Sequence, residues 1–211
     1  MIKLIHGDCM EAMKEMPDKA FELAIVDPDY GLNDKLTCGG TWAANRKKGD
    51  AFYGGPPNSE YFSSLFRVSI NQIVWGGNYF KLPPSRCFIV WDKPSMRMPT
   101  MADCEYAWAS FDAVAKIKRV NQEKGGKRIH ICQKPVALYK WLLKNYAKQG
   151  DKILDTHGGS MSIAIACYDL GFDLELYEID EDYFREGKAR YERHIAQGRL
   201  FEPNGEVYGK N

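Results

Sequence analysis

Short apolar runs alternate with segments of helical periodicity along most of this 211-residue chain. Five runs have the length of buried strands and lie at 23–26, 72–75, 87–91, 152–154 and 174–177. Apolar residues recur at helical spacing in three segments, at 135–146, 162–170 and 182–195. Strands that alternate with helices form an open α/β sheet with helices on both faces. We therefore predict a single α/β domain over residues 1–211, without repeats or an interdomain linker.

The cysteines and the apolar runs limit where this protein works. Six cysteines are scattered along the chain without a CxxC pair, and the four histidines do not cluster with them. This pattern indicates free thiols in a reducing cytoplasm and predicts no metal site. No apolar run approaches the roughly 20 residues of a membrane span, and the first residues lack a secretory signal. We expect a cytoplasmic protein without a membrane partner.

The charges are unevenly distributed, although the net charge is only +1. Residues 112–128 contain six basic and two acidic side chains, whereas residues 169–186 contain eight acidic and one basic. A basic face of this kind suits the phosphates of a nucleic acid. Two solvated faces of opposite charge are an equally good interpretation, so charge alone does not establish a nucleic-acid partner.

A glycine-containing turn follows the apolar run at 152–154. It reads Asp-Thr-His-Gly-Gly-Ser over 155–160 and leads into a helix. Such a turn lets the backbone approach a ligand and points helix N–H groups at an anion. Glu178 ends the next strand, 23 positions after Asp155, where nucleotide-binding folds often place an acid for ribose hydroxyls. The turn is neither a P-loop nor GxGxxG, and by itself it is also compatible with an ordinary structural turn.

A second polar segment follows the run at 23–26 and reads Asp27-Pro28-Asp29-Tyr30. Proline makes the turn rigid, so the Asp27 carboxylate and the Pro28 carbonyl can be two fixed acceptors beside an aromatic ring. This arrangement suits an amino group that is held through both hydrogens while its ring stacks. An Asp-Pro turn with a surface tyrosine is the simpler interpretation of the motif alone.

These residues resemble a known family. Asp27-Pro28-Asp29-Tyr30 is similar to the Asp-Pro-Pro-Tyr motif of DNA amino-methyltransferases, and residues 155–160 resemble their loop for S-adenosylmethionine (AdoMet). The catalytic motif comes first, as in the circularly permuted beta class. The other segments in the expected order are residues 6–9, 75–80, 133–135 and 178–180. The resemblance covers roughly residues 4–190 and implies a Rossmann-like mixed sheet of about seven strands, with AdoMet over the strand ends.

The resemblance also implies which residues bind AdoMet. Asp155 and the backbone of Gly158 and Gly159 would hold the methionine portion, and Glu178 would bind the ribose hydroxyls. Lys134 would lie near the cofactor carboxylate. The full set of implied cofactor residues is Asp8, Cys9, Lys134, Asp155, His157, Gly158, Gly159, Ser160 and Glu178. Asp8 and Cys9 belong to the adenine end of the cofactor, and no metal is required.

The same resemblance assigns catalysis to Asp27, Pro28 and Tyr30. A stacked base cannot reach such a site, so the target base of double-stranded DNA is expected to flip out of the helix. Tyr30 would stack on this base, while Asp27 and the Pro28 carbonyl accept hydrogen bonds from its amino group. Family members whose motif begins with Asp tend to modify adenine, which favours a site-specific N6-adenine methyltransferase. N4 of cytosine is the alternative, because the same arrangement fits either amino group.

Three departures from the family pattern support another alternative, a catalytically impaired homologue that binds AdoMet or DNA. Asp29 replaces the second proline of the catalytic motif. In the AdoMet loop, Thr156 and His157 stand in place of Pro-Phe, and Met161 stands where a third glycine often lies. RNA or a protein amide would be further substrates for the same chemistry.

Recognition of DNA is expected from two segments, 33–58 and 113–130, which are rich in Lys, Arg and Gly. Their cations would contact phosphates, which position a protein on DNA without specifying a sequence. The chain has little room for a separate recognition domain. Specificity would therefore be relaxed or supplied by a second copy in a homodimer, in a bacterial or phage-encoded protein.

Overall fold

The computed structural model describes residues 1–32, 55–94, 102–121, 129 and 133–200. Most of the candidate DNA segment 33–58, and the part of 113–130 beyond residue 121 apart from residue 129, lie outside the described residues. The rest of the second segment includes a strand, at Lys116–Arg119, where the sequence had indicated only basic character.

Within the described ranges the chain forms eight strands and five α-helices. The strands are β1 Ile2–His6, β2 Phe21–Val26, β3 Ser69–Trp75, β4 Phe88–Asp92, β5 Cys104–Ala109, β6 Lys116–Arg119, β7 Lys152–Asp155 and β8 Asp173–Glu178. The helices are α1 Cys9–Glu15, α2 Ser59–Val68, α3 Val136–Tyr146, α4 Ser162–Leu170 and α5 Glu181–Leu200. A short 3₁₀ turn, Gly77–Tyr79, follows β3.

All eight strands belong to one sheet in the order β1-β8-β7-β2-β3-β5-β4-β6. Neighbouring strands are parallel except where β5 pairs with β3 and β4, so β5 alone runs against the others. The predicted mixed α/β sheet is confirmed, and each of the five predicted strands overlaps an observed one. Among the described residues the sheet has eight strands, where the resemblance implied about seven. The strands β1, β5 and β6 were not predicted, because they lack a continuous apolar run.

Helices cover both faces of the sheet, because the central strands are buried on both sides. One core cluster packs α3, α4 and α5 against the sheet through residues such as Leu142, Ala164 and Tyr191. The second cluster packs α1 and α2 on the opposite face through Met13 and Leu65. Helix α1 begins at a side-chain cap, in which Oδ1 of Asp8 accepts the N–H of Met10 at 2.7 Å.

The sheet brings several chain turns to one edge. The carboxyl ends of β1, β2, β3, β4, β7 and β8 lie together there because these strands are parallel. The amino end of antiparallel β5 lies at the same edge. Ligands of open α/β sheets bind at this edge, so it is the place to look for a site. None of the helices in the described part of the chain has the length and apolar composition of a membrane span.

Candidate active site

Asp27 follows β2 directly and uses both carboxylate oxygens. Its Oδ1 accepts a hydrogen bond of 2.6 Å from the hydroxyl of Tyr30, and its Oδ2 forms an ion pair with Nζ of Lys134. Lys134 lies immediately before α3, and only 1% of its side chain is exposed. Pro28, which follows Asp27 in the motif, is buried. The turn therefore places a carboxylate and an aromatic ring side by side at the sheet edge.

The Tyr30 ring lies in an aromatic cluster after β3. It stacks on Tyr79 with ring centres 5.1 Å apart and an interplanar angle of 14°, and its edge contacts Phe80. Gly76 has a φ of 66°, and a Cβ built there would lie 2.2 Å from Cε1 of Tyr30. Only glycine combines this backbone conformation with such a close approach. The segment at 75–80, which the sequence had placed after the catalytic strand, supports the ring.

Asp29, the departure from the family motif, stabilises its own turn. Its Oδ1 accepts the N–H of Gly31 at 2.9 Å. Its Oδ2 is buried and has no hydrogen-bond partner among the described residues.

Glu105 and Lys93, which no sequence pattern had indicated, extend the charged site. Nζ of Lys134 lies 3.1 Å from Oε2 of Glu105, and Nζ of Lys93 lies 2.6 Å from Oε1 of the same carboxylate. Burial alone would raise the pKa of Glu105, but the ammonium groups of Lys134 and Lys93 outweigh it, and the pKa is lowered. Glu105 lies at the start of β5, whereas the sequence prediction considered only residues that follow the end of an apolar run.

The second half of the site begins at Asp155, the last residue of β7. Burial, followed by the negative charges of Asp27 and Glu178, raises the pKa of Asp155 to about 8. The charge of Lys134, which pairs with Asp27, acts in the opposite direction and lowers the pKa of Asp155. Oδ1 of Asp155 accepts the N–H of His157 at 3.0 Å, which shapes the turn that follows.

The glycine turn packs directly on β8. A Cβ at Gly158 would lie 2.3 Å from Cδ2 of Leu176, so a larger residue would have to displace either the Leu176 side chain or the loop. Glu178 accepts the N–H of Gly159 at 2.6 Å and that of Asp180 at 2.9 Å. Burial raises the pKa of Glu178. The predicted loop and the predicted ribose-binding acid are thus joined by a hydrogen bond.

Helix α5 and Met161 complete the loop. Met161, which stands in place of a third glycine, has a φ of 57°, a left-handed conformation that costs a non-glycine residue about 1–2 kcal/mol. Arg190 of α5 donates to the carbonyl of Ser160 at 2.8 Å and to Oγ of Ser162 at 2.9 Å. Gly187 is another close contact, because a Cβ there would lie 2.8 Å from the carbonyl oxygen of Gly159.

Thr156 and His157 form a polar chain with α2. Oγ1 of Thr156 shares hydrogen bonds with the Tyr61 hydroxyl at 2.7 Å and with Nδ1 of His157 at 2.9 Å. Burial lowers the pKa of His157 to about 4, so the imidazole is neutral near pH 7. The two departures from the Pro-Phe pattern therefore hold each other in place, together with Tyr61, which the sequence analysis did not select.

Asp8 and Cys9 meet the loop at the end of β1. The N–H of Gly7 donates to the carbonyl of Glu178 at 3.0 Å, which fixes this turn beside β8. Burial, then the charges of Asp8, Asp155 and Glu178, raises the pKa of Cys9 to about 12, so the thiol stays protonated. The residues that the sequence assigned to AdoMet lie at strand ends, in turns or at helix starts along one sheet edge, and their contacts with the cofactor stay predictions. Among the described residues, no His, Cys, Asp and Glu group has the arrangement of a metal site.

A family model described as DNA methylase, of the N6/N4 type, matches residues 47–189, which is more than half of the chain. The chain belongs to this DNA methylase family. The family uses AdoMet as its methyl donor. The match begins after Tyr30, so the assignment of the catalytic motif is supported only by the sequence and geometry of residues 27–30.

Individual proteins align with this chain over most of their length. YubD of Escherichia coli (strain K12), which is provisionally named a methylase, is 24% identical, and the alignment covers 94% of this chain and 95% of YubD. The crystal structure of the M1.HpyAVI–SAM complex has a TM-score of 0.62 and 18% identity, over 90% of this chain and 98% of that one. PvuII DNA methyltransferase, which is cytosine-N4-specific, has a TM-score of 0.61 and 14% identity, over 98% and 88%. At these identities the solved structures establish the Rossmann-like methyltransferase fold.

Proposed function

We propose that this DNA methylase transfers a methyl group from AdoMet to N6 of adenine in double-stranded DNA. The observation that carries the proposal is that Asp27 and Tyr30, in the turn after β2, are joined by a hydrogen bond. Strand β2 pairs with β7, so this turn is adjacent to the one that starts at Asp155. This site combines an acceptor for an amino group, a platform for a base and a loop shaped for the cofactor.

The loop residues fit AdoMet in shape and charge. Gly158 brings the backbone close to β8 where a side chain would collide with Leu176. Asp155 is buried with a carboxylate whose raised pKa makes it responsive to a cationic ligand. Glu178 orders the turn through the N–H of Gly159 and keeps lone pairs for ribose hydroxyls. When bound, AdoMet supplies an electrophilic methyl group on its positively charged sulfur.

The catalytic motif would act on a base that has left the DNA stack. Tyr30 would stack on it, which for aromatic platforms contributes about 1–3 kcal/mol per base. Asp27 and the Pro28 carbonyl would accept the two amino hydrogens, which localises the nitrogen lone pair. With AdoMet bound, this nitrogen would form a bond to the methyl carbon as the carbon–sulfur bond breaks. S-adenosylhomocysteine would leave, and the surplus proton on the nitrogen would pass by way of the Asp27 carboxylate to water. The Asp27 carboxylate stabilises the positive charge that develops on the nitrogen.

N4 of cytosine is the second candidate substrate, because the same acceptors fit its amino group. The fold is similar to that of a cytosine-N4-specific enzyme, which is consistent with this second substrate. For DNA contacts, the described part of segment 113–130 offers Lys116 and Lys118, whose ammonium groups lie 5.7 Å and 5.9 Å from the rings of Tyr146 and Trp141. We propose that β6, the last strand in the sheet order, contacts DNA phosphates. We also propose that segment 33–58 or a second copy of the chain contributes to sequence recognition.

The test is transfer of labelled methyl from AdoMet to unmethylated DNA, followed by digestion and identification of the modified nucleoside. Asp27→Ala is the matched inactive control, because it removes the proposed acceptor and leaves the AdoMet loop in place. We expect N6-methyladenine with the unaltered chain and none with the variant. N4-methylcytosine would replace the base assignment. Binding of AdoMet without transfer would favour the impaired homologue or another substrate.

A further inference from the structure

Four charged side chains form a continuous line that ends at Asp27 of the catalytic motif. Lys93 pairs with Glu105, Glu105 pairs with Lys134, and Lys134 pairs with Asp27. The exposed fractions of these side chains are 8%, 22%, 1% and 16% in the same order. The charges alternate, so the line as a whole is neutral. Segments far apart in the chain contribute to it, which means that only the folded protein assembles the line.

Two buried tryptophans surround the cations. Nζ of Lys134 lies 5.1 Å from the ring centre of Trp75, and Nζ of Lys93 lies 4.8 Å from that of Trp91. Both rings are nearly inaccessible to solvent, so water screens these charges poorly. In such surroundings an uncompensated charge is costly, and each member of the line depends on its neighbours.

We propose that Glu105, held by Lys93, is a positioning residue for methyl transfer because it shares the Lys134 ammonium with Asp27. This inference rests on the proposed function. Glu105 draws part of the Lys134 charge away from Asp27, which leaves the Asp27 carboxylate a strong acceptor for the amino group. Without Glu105, Lys134 would neutralise Asp27 more completely, and Lys93 would add a second positive charge nearby.

The net charge of the four side chains can be changed by one substitution. Glu105→Gln changes the charge of the line from zero to +1, whereas the reaction develops positive charge on the amino nitrogen. We therefore expect kcat to fall about 10- to 100-fold, which is less than the roughly 10²–10³-fold effect of removing a group that contacts the reacting atoms. KM for DNA and the affinity for AdoMet should change less than about threefold, because the binding groups stay in place.

A second substitution should restore the balance. Lys93→Met combined with Glu105→Gln leaves only the Lys134–Asp27 pair, which is neutral, and kcat should recover most of the loss. Glu175→Gln is the matched control: it removes a carboxylate that pairs with Lys3 at 3.2 Å on strands at the far end of the sheet. It should leave kcat unchanged. A Glu105→Gln variant with the kcat of the unaltered chain, or a double variant that falls further, would overturn the proposal.

The lysine ammonium groups offer a readout that does not require activity. Nuclear magnetic resonance detects ammonium protons that exchange slowly, as expected for the buried Lys93 and Lys134. Lys93→Met assigns one of the two signals. In Glu105→Gln both signals should move, whereas in Glu175→Gln neither should. If Glu105→Gln does not fold, Glu105→Asp is the substitute, because it keeps the charge but shortens the side chain. The Lys134 signal of Glu105→Asp should then differ from that of the unaltered chain.

The two readouts separate the failures. If the unaltered chain transfers no methyl group, the proposed function fails and the kinetic role of Glu105 fails with it, whatever the spectra show. If the chain is active but the Lys134 signal is the same in Glu105→Gln and in the unaltered protein, Glu105 does not share this ammonium. The positioning role then fails alone.

Discussion

The hydroxyl of Tyr30 donates a hydrogen bond of 2.6 Å to Oδ1 of Asp27. The residue proposed to stack on the target base and the residue proposed to hold its amino group are therefore fixed relative to each other. Pro28 limits the turn between them, and Gly76 supports the ring from behind. Stacking a base on Tyr30 would thus also set the position of its amino group against Asp27.

Substitutions at Tyr30 should separate stacking from orientation. Tyr30→Phe keeps the ring and loses the hydrogen bond to Asp27, so we expect a fall in kcat with little change in affinity for DNA that contains the target base. Tyr30→Ala also removes the platform and should cost about 1–3 kcal/mol of binding to an extruded base. Single-turnover kinetics and binding to DNA with an unpaired target base measure the two effects. Equal losses in both variants would contradict this separation.

Substitutions at Asp27 should abolish transfer but spare AdoMet. Asp27→Ala removes the acceptor that stabilises developing positive charge, so we expect kcat to fall by at least about 10²–10³-fold. Lys134 keeps Glu105 as a partner, which limits damage to the fold. Calorimetry should give an AdoMet affinity within a few-fold of that of the unaltered chain. A parallel loss of AdoMet binding would show that Asp27 does not act on the base alone.

Gly76 should be irreplaceable for steric reasons. Gly55 is a matched control, because both glycines have a φ of 66° but a Cβ at Gly55 meets no described residue within 4 Å. Gly55→Ala should cost only the roughly 1–2 kcal/mol of a left-handed alanine. Gly76→Ala adds a collision with the Tyr30 ring, so both the free energy of unfolding and kcat should fall further. Denaturant unfolding and methyl-transfer assays test this, and equal effects of the two substitutions would contradict it.

Binding of AdoMet should depend on the ionisation of Asp155, whose pKa is raised to about 8. Below that pH the folded protein without cofactor holds Asp155 mostly protonated. A cationic ligand favours the ionised form, so binding releases a proton and affinity should rise with pH until about pH 8, at most tenfold per unit. Calorimetry from pH 6.5 to 9 measures this slope. Asp155→Asn should bind more weakly and lose the slope, and a flat profile in the unaltered chain would refute the prediction.

The same group predicts a change in stability with pH. The folded-state pKa of Asp155 lies above its usual value of 3.8, so its contribution to the free energy of unfolding is complete at low pH. This contribution is lost as pH rises through about 8. Without AdoMet, Asp155→Asn should therefore gain stability over the unaltered chain as pH increases from 5 to 8. Thermal unfolding of both proteins across this range measures the difference.

Part of the site could be predicted because strand ends are visible in a sequence. Asp27, Asp155 and Glu178 each follow an apolar run, and parallel strands bring such residues to one edge. Glu105 could not be found in this way, because β5 is antiparallel and presents its first residues at that edge. The edge strands β1 and β6 were missed because one face of each is exposed, which leaves no continuous apolar run.

The sequence by itself indicated the α/β class and the residues of the two main turns, since periodicity and turn chemistry are local properties of the chain, whereas the circularly permuted order was implied by the family resemblance. The tertiary structure alone decided the order and direction of the strands. It therefore decided that Lys134 pairs with Asp27, 107 positions away, and that Glu105 joins them. These contacts depend on how distant strands pack against one another, and no local pattern in the chain records that packing.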